Sequence, residues 1–183
     1  MLTAMREDES VDREGIRIQV DRMVQAGVDI IFCLGTNGEF YALSTDERFL
    51  VLETVLEAVD GRMPVIAGTG AVTTAESIRL SRDAHAAGAD ALAIITPYFA
   101  QASQSELAVH FRSIAEAVPL PVYLYNIPQR TGNTIEAGTV AILRETENIA
   151  GIKDSSGKAD LLEHAHPLFA LSVAQAATNE LPP

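Results

Sequence analysis

Short apolar runs alternate with segments of helical periodicity along most of the chain, and this alternation limits the fold more than any other feature. Residues 28–34, 64–67, 91–95, 121–125 and 149–153 carry the strand-like pattern, with a weaker sixth at 169–173. Ile16, Val20, Met23 and Val24 share one face of a helix ahead of the first run. Ser44-Thr45-Asp46-Glu47, Thr73-Thr74-Ala75-Glu76 and Ser103-Gln104-Ser105-Glu106 read as capping boxes. In each, a hydroxyl can accept from the first free amides while the glutamate reaches back. Behind the first box, Leu50, Val51, Val55 and Val59 turn inward, and behind the third, Leu107, Phe111 and Ile114. A further helix is expected near 135–144. A repeated βα unit means parallel strands joined by crossover helices, hence an α/β fold.

Two α/β architectures fit, an open doubly wound sheet and a (β/α)8 barrel. The polar clusters favour the barrel. Gly35-Thr36-Asn37-Gly38-Glu39 follows the first run, Gly68-Thr69-Gly70 the second and Thr96-Pro97-Tyr98 the third. Asn126-Ile127-Pro128 follows the fourth and Asp154-Ser155-Ser156-Gly157 the fifth. Every strand thus delivers its polar residues at its C-terminal end. A barrel gathers all such ends around one mouth, whereas an open sheet concentrates its site at a switch point. None of these loops has the glycine spacing of a dinucleotide or P-loop fingerprint. A whole barrel takes about 250 residues and eight strands. The expected fold is therefore an incomplete TIM barrel of five or six βα units over residues 1–163. Residues 164–183 read as an atypical tail in place of the remaining strands.

The chain has 183 residues, 48% hydrophobic and 21% charged, which suits a globular domain with a real core. Its net charge of -12 argues against a nucleic-acid partner, since no basic patch is present to neutralise phosphates. Cys33 is the single cysteine and lies in an apolar run, where it reads as a small buried hydrophobe. His85, His110, His164 and His166 do not form a metal-ligand set, so no metal is expected. The chain shows no secretory leader and no long apolar span, which points to the cytoplasm and away from a membrane.

Lys153 and Lys158 are the only lysines. Lys153 ends the fifth apolar run, and Tyr125 ends the run before it. A lysine beside a tyrosine at neighbouring strand ends suits imine chemistry on a keto acid. A nucleophilic lysine must be neutral, so it needs a partly desolvated position. The alternative, that Lys153 caps its strand and points to water, stands equally open on the local sequence. Arg130 is the candidate cation for an anionic substrate.

Together, Gly35-Thr36-Asn37-Gly38-Glu39, Tyr125-Asn126-Ile127-Pro128 and Gly151-Ile152-Lys153-Asp154 carry a family resemblance over about residues 2–162. The chain resembles the pyruvate-dependent class I lyases of the dihydrodipicolinate synthase and N-acetylneuraminate lyase family. The resemblance implies that Lys153 forms the Schiff base with pyruvate and that Tyr125 relays protons. It implies that Thr36 and Asn37 hold the keto-acid carboxylate, with Thr36 also bonding toward Tyr125. Arg130 would bind the carboxylate of an aldehyde partner at the mouth of the site. No metal or organic cofactor is implied, and a homo-oligomer, commonly a tetramer, is.

The sequence departs from that family in three respects. Many synthases carry two adjacent tyrosines after Thr-Pro, the second reaching a neighbouring subunit's site; here the pair is Tyr98-Phe99. Asn37 stands where typical synthases have a second threonine. The family's first strand and its last two are missing or barely begun, so the chain reads as truncated at both ends. The leading expectation is a pyruvate-dependent lyase most like 4-hydroxy-tetrahydrodipicolinate synthase. A 2-keto-3-deoxy sugar-acid aldolase or dehydratase, and a non-catalytic barrel fragment, are the alternatives. Among the remaining polar residues, Glu39 is expected to bond its loop amides. Tyr41 and Tyr98 are expected to line the mouth or pack, Tyr123 to lie in a lower core layer, Asp154 and Ser155 to shape a turn, and Lys158 to sit exposed on the following helix.

Overall fold

The computed structural model describes residues 1–158, 161 and 170–172. The expected tail at 164–183 lies outside the described residues apart from a strand at Ala170–Ser172. The chain divides into two compact units. The first holds Met1–Thr69 and Leu80–Leu92, and the second holds Gly70–Arg79 and the described residues from Ala93 onward.

In the first unit, α1 (Arg13–Gln25) starts at Asp12, whose carboxylate accepts from the Glu14 amide at 3.1 Å. Ile16 and Val20 on its inner face are fully buried. α2 (Thr45–Val59) opens on the expected capping box of Ser44 and Glu47, and buries Val51, Leu52, Val55 and Val59. Each such side chain contributes about 1.5–3 kcal/mol by leaving water, which sets the α1–α2 packing. Arg13 and Arg17 share the Glu57 carboxylate across the two helices. These pairs are half-exposed and contribute under about 1 kcal/mol. β1 (Ile31–Cys33) and β2 (Val65–Gly68) pair in parallel, Ile31 with Val65 and Cys33 with Ala67. β1 is shorter than the apolar run that announced it. Val28 and Ile30 are exposed, and Leu34 turns into the left-handed region at φ 57°, which ends the strand. Gly68 is required opposite that turn, because a Cβ there would stand 2.1 Å from the Leu34 carbonyl oxygen.

α3 (Thr74–Ala87) and β3 (Ala91–Ile95) are divided between the units. All five residues of β3 are buried, the pattern of a strand covered on both faces.

In the second unit, β3, β4 (Val122–Asn126), β5 (Ile149–Asp154) and β6 (Ala170–Ser172) are neighbours in that order. β5 runs parallel to both β4 and β6. α4 (Gln104–Ala115) begins with the Ser103–Glu106 capping box and buries Leu107, Phe111 and Ile114, as its periodicity predicts. Asn148, just ahead of β5, donates its side-chain amide to the carbonyls of Ala115 and Val118, which closes the far end of α4. α5 (Pro128–Thr131) and α6 (Ala137–Leu143) follow β4. The single turn of α5 has no counterpart in the apolar pattern. It rests on Pro128 at its first position and on Gly132 at φ 75° closing it. No helix among the described residues is long and apolar enough to cross a membrane.

Candidate active site

The site is built from two adjacent strand ends. In the β4–β5 register, Tyr125 stands opposite Lys153 and Asn126 opposite Asp154. Strand side chains alternate between faces, so the first pair shares one face and the second pair the other.

On the first face, the Lys153 Nζ lies 3.5 Å from the centroid of the Tyr125 ring. It also donates to the Ser155 hydroxyl at 2.9 Å. Tyr125 is only 5% exposed, and Lys153 is half-buried. Burial lowers the pKa of the lysine from its ordinary value, because a charged amine loses hydration there. Tyr125 and the Asp154 carboxylate pull it partly back. Lys153 therefore does not simply cap its strand toward water.

On the second face, Asp154 is buried and fully engaged. One carboxylate oxygen accepts from the Asn126 amide at 2.7 Å and from the Ser156 backbone at 3.2 Å, and the other from the Ser156 hydroxyl at 2.7 Å. Asn126 in turn accepts from the Ile135 backbone at 3.0 Å through its side chain and from the Ser155 backbone at 2.8 Å through its carbonyl. This brace fixes both strand ends behind Tyr125 and Lys153. The expectation that Asp154 shapes the turn holds, and the structure adds Asn126 as its partner.

A second polar knot lies beside it. The Thr96 amide donates to the Tyr125 carbonyl at 3.2 Å, and the Thr96 hydroxyl donates to that of Thr131 at 2.8 Å. Asn133 donates to the carbonyls of Pro97 and Ala100 and accepts from the Ala102 amide, all within 2.9 Å. Three bonds from one buried amide group hold the loop that carries Tyr98 and Phe99. Tyr98 is half-buried, while Phe99 is 98% exposed at φ 78°. Arg130 stands exposed on α5, with no ion pair among the described residues. Tyr123 pairs in register with Gly151, and Lys158 is exposed in a coil rather than on a described helix.

Thr36 and Asn37 belong to the first unit. They form a 3-10 turn, Thr36–Gly38, directly after β1, with Thr36 half-buried and Asn37 exposed. The Thr3 hydroxyl donates to the Gly38 carbonyl at 2.7 Å and holds the turn. Glu39 leaves this turn at φ 53° with its side chain exposed. Its carboxylate accepts no hydrogen bond from the loop amides among the described residues. Cys33 is buried, with its thiol pushed up to about 12 by desolvation and its Sγ 3.7 Å from the Ile66 carbonyl. It is a packing residue.

Of the residues named from sequence, the structure brings Tyr125 and Lys153 together. It places Arg130 on the turn that follows Tyr125's strand, and Thr36 and Asn37 on the first strand's loop. Asn126, Ser155, Thr96, Thr131 and Asn133 were not singled out as site residues. The signal for Asn126 and Ser155 was adjacency to Tyr125 and Lys153. Asn133 carried none, because its partners lie some thirty residues earlier in the chain.

The sequence profile of the dihydrodipicolinate synthetase family matches residues 1–171. The 4-hydroxy-tetrahydrodipicolinate synthase of Thioalkalivibrio sulfidiphilus is 44% identical over 160 residues, covering 87% of this chain and 54% of the relative. The enzyme of that name from Azoarcus sp. is 45% identical, covering 93% of this chain and 60% of its own. The crystal structure of the chloride-inhibited dihydrodipicolinate synthase from Acinetobacter baumannii complexed with pyruvate matches with a TM-score of 0.87. It is 37% identical, over 94% of this chain and 61% of that one. The chain thus spans about half the length of the first of these relatives. The likeness identifies the βα units as part of a (β/α)8 barrel.

Proposed function

The chain belongs to the dihydrodipicolinate synthetase family, and we propose that it carries the Schiff-base site of a pyruvate-dependent lyase. The observation that supports this most is the half-buried Lys153 amine against Tyr125 at the ends of two paired strands. In this reading Lys153 attacks the keto carbon of pyruvate and, after loss of water, holds it as an imine. Tyr125 carries protons to and from the nitrogen and its carbinolamine precursor. The imine then draws electrons from the neighbouring methyl carbon. That carbon loses a proton to become an enamine, which attacks the aldehyde carbon of the second substrate and forms a carbon–carbon bond.

Thr36 and Asn37 are assigned to the pyruvate carboxylate, and Arg130 to the carboxylate of the aldehyde, where a guanidinium can bind two oxygens at once. With aspartate semialdehyde as the aldehyde, its own amino group then displaces Lys153 from the imine carbon and closes the ring, which releases 4-hydroxy-tetrahydrodipicolinate and the free lysine, a step of lysine biosynthesis in the cytoplasm. The printed names of the relatives and Arg130 support that choice. A homotetramer is the proposed assembly, and no cofactor is needed.

Asn37 and Phe99 favour a second reading, an aldolase or dehydratase acting on 2-keto-3-deoxy sugar acids. Phe99 has no hydroxyl to complete a proton relay, and Asn37 offers an amide in place of a threonine hydroxyl. A third reading is a barrel fragment without activity of its own.

Pyruvate with borohydride, followed by peptide mapping, tests the first two readings against the third. A pyruvyl group on Lys153 and none on Lys158 is expected. A folded sample that takes no adduct supports the inactive fragment. Consumption of aspartate semialdehyde, against release of pyruvate from a 2-keto-3-deoxy sugar acid, separates the first two.

A further inference from the structure

The Lys153 amine has a second neighbour besides Tyr125, and it comes from the turn immediately after the strand. Resting on the reading that Lys153 forms the imine, we propose that Ser155 is a positioning residue for that lysine. Its hydroxyl holds Nζ beside the Tyr125 ring before attack and accepts the N–H of the protonated imine afterwards.

The contact is direct, 2.9 Å from Nζ to the Ser155 Oγ. The hydroxyl stands on a fixed base. The Ser155 amide is bonded to the Asn126 carbonyl at 2.8 Å. Its neighbours Asp154 and Ser156 are buried and bonded to each other. The brace on the far face of the strands therefore places a hydroxyl on the near face. Nζ has Tyr125 on one side and the Ser155 hydroxyl on another.

A hydroxyl suits both protonation states of the lysine. It accepts from an ammonium, and it can accept from or donate to a neutral amine. A carboxylate in its place would fix the ammonium and suppress attack. During imine formation the nitrogen lone pair forms the C–N bond and the carbonyl pair moves onto oxygen. That oxygen leaves as water with one proton from the amine and one from the medium. The remaining amine proton becomes the single N–H of the iminium, and the Ser155 hydroxyl stands 2.9 Å from Nζ to accept it.

The test uses the whole chain with Ser155→Ala and Ser155→Thr. Brief labelling with acetic anhydride across pH, read by peptide mass spectrometry, gives the midpoint for Lys153, with exposed Lys158 as internal standard. Ser155→Ala is expected to lower the Lys153 midpoint by about one pH unit, roughly tenfold in proton affinity. The hydroxyl of Ser155→Thr is expected to restore it. The borohydride-trapped pyruvyl yield should fall several-fold in the alanine variant and recover in the threonine variant. An unchanged Lys158 profile and unchanged circular dichroism show that the fold is intact. A midpoint that moves in alanine and returns in threonine supports the proposal. If the wild type then takes no pyruvyl group, only the pyruvate reading fails. An unmoved midpoint overturns the proposal, and a wild-type adduct in that case leaves the lysine reading standing.

Discussion

Asn126 donates its side-chain amide to the Asp154 carboxylate at 2.7 Å, and both residues are buried at the ends of adjacent parallel strands. Their strand neighbours, Tyr125 and Lys153, face the other way and meet across 3.5 Å. One pair is thus the support, and the other is the pair proposed to react. Asn126→Ala leaves Asp154 short of a donor and the Ile135 amide without its acceptor. The expected cost is about 1–3 kcal/mol. Urea unfolding should show it, together with a fall in the pyruvyl yield at Lys153. A variant of full stability and full yield would remove the brace from the account of the site.

Lys153→Met keeps the length of the side chain and removes the partly desolvated amine. The adduct should vanish. Stability should hold or rise by less than about 1 kcal/mol, since solvent screens the open side of the amine. The sign follows from the lowered pKa of Lys153. An unfolded lysine holds its proton up to the ordinary value, so the folded state loses ground as pH falls below that value through the folded one. A methionine has no such penalty. A large loss of stability would mean that the amine is a structural tie instead.

The meeting of Tyr125 and Lys153 was legible in the sequence because both lie at the ends of apolar runs, and strand ends are where such runs deliver polar residues. The Ser44 and Ser103 capping boxes were legible because all their parts lie within four residues. Two other features were not read correctly. β1 proved shorter than its run, since Leu34 turns into the left-handed region against a residue of the neighbouring strand, Gly68, and nothing near Leu34 in the chain announces that. Asn133 binds residues of another loop, and nothing near it in the chain announces that. The α5 turn had a visible signal in Pro128 and Gly132, but its four residues are too few for periodicity to show.

Asn133→Ala removes three hydrogen bonds from the loop at 97–102 and leaves the Ala102 amide without its acceptor. A loss of about 2 kcal/mol is expected, concentrated in that loop. Hydrogen exchange should speed at Ala102 well before it does in β3. Uniform acceleration across the second unit would show that Asn133 supports the core as a whole and not the loop that displays Phe99.

His110 sets the acid limit of the fold. It is buried on α4, its Nδ1 lies 2.9 Å from the Thr74 hydroxyl on α3, and its Nε2 has no partner among the described residues. Burial pushes its pKa down from 6.5 to about 4. An unfolded histidine takes up its proton first as pH falls. The stability linked to this residue is therefore fully present above 6.5 and is lost between 6.5 and 4. The gap corresponds to about 3 kcal/mol. Urea midpoints measured from pH 7 to pH 4 should fall more steeply in the wild type than in His110→Leu, which cannot take the proton. Parallel curves for the two proteins would mean that the imidazole is already protonated or hydrated in the folded state, and that the carboxylates alone set the acid limit.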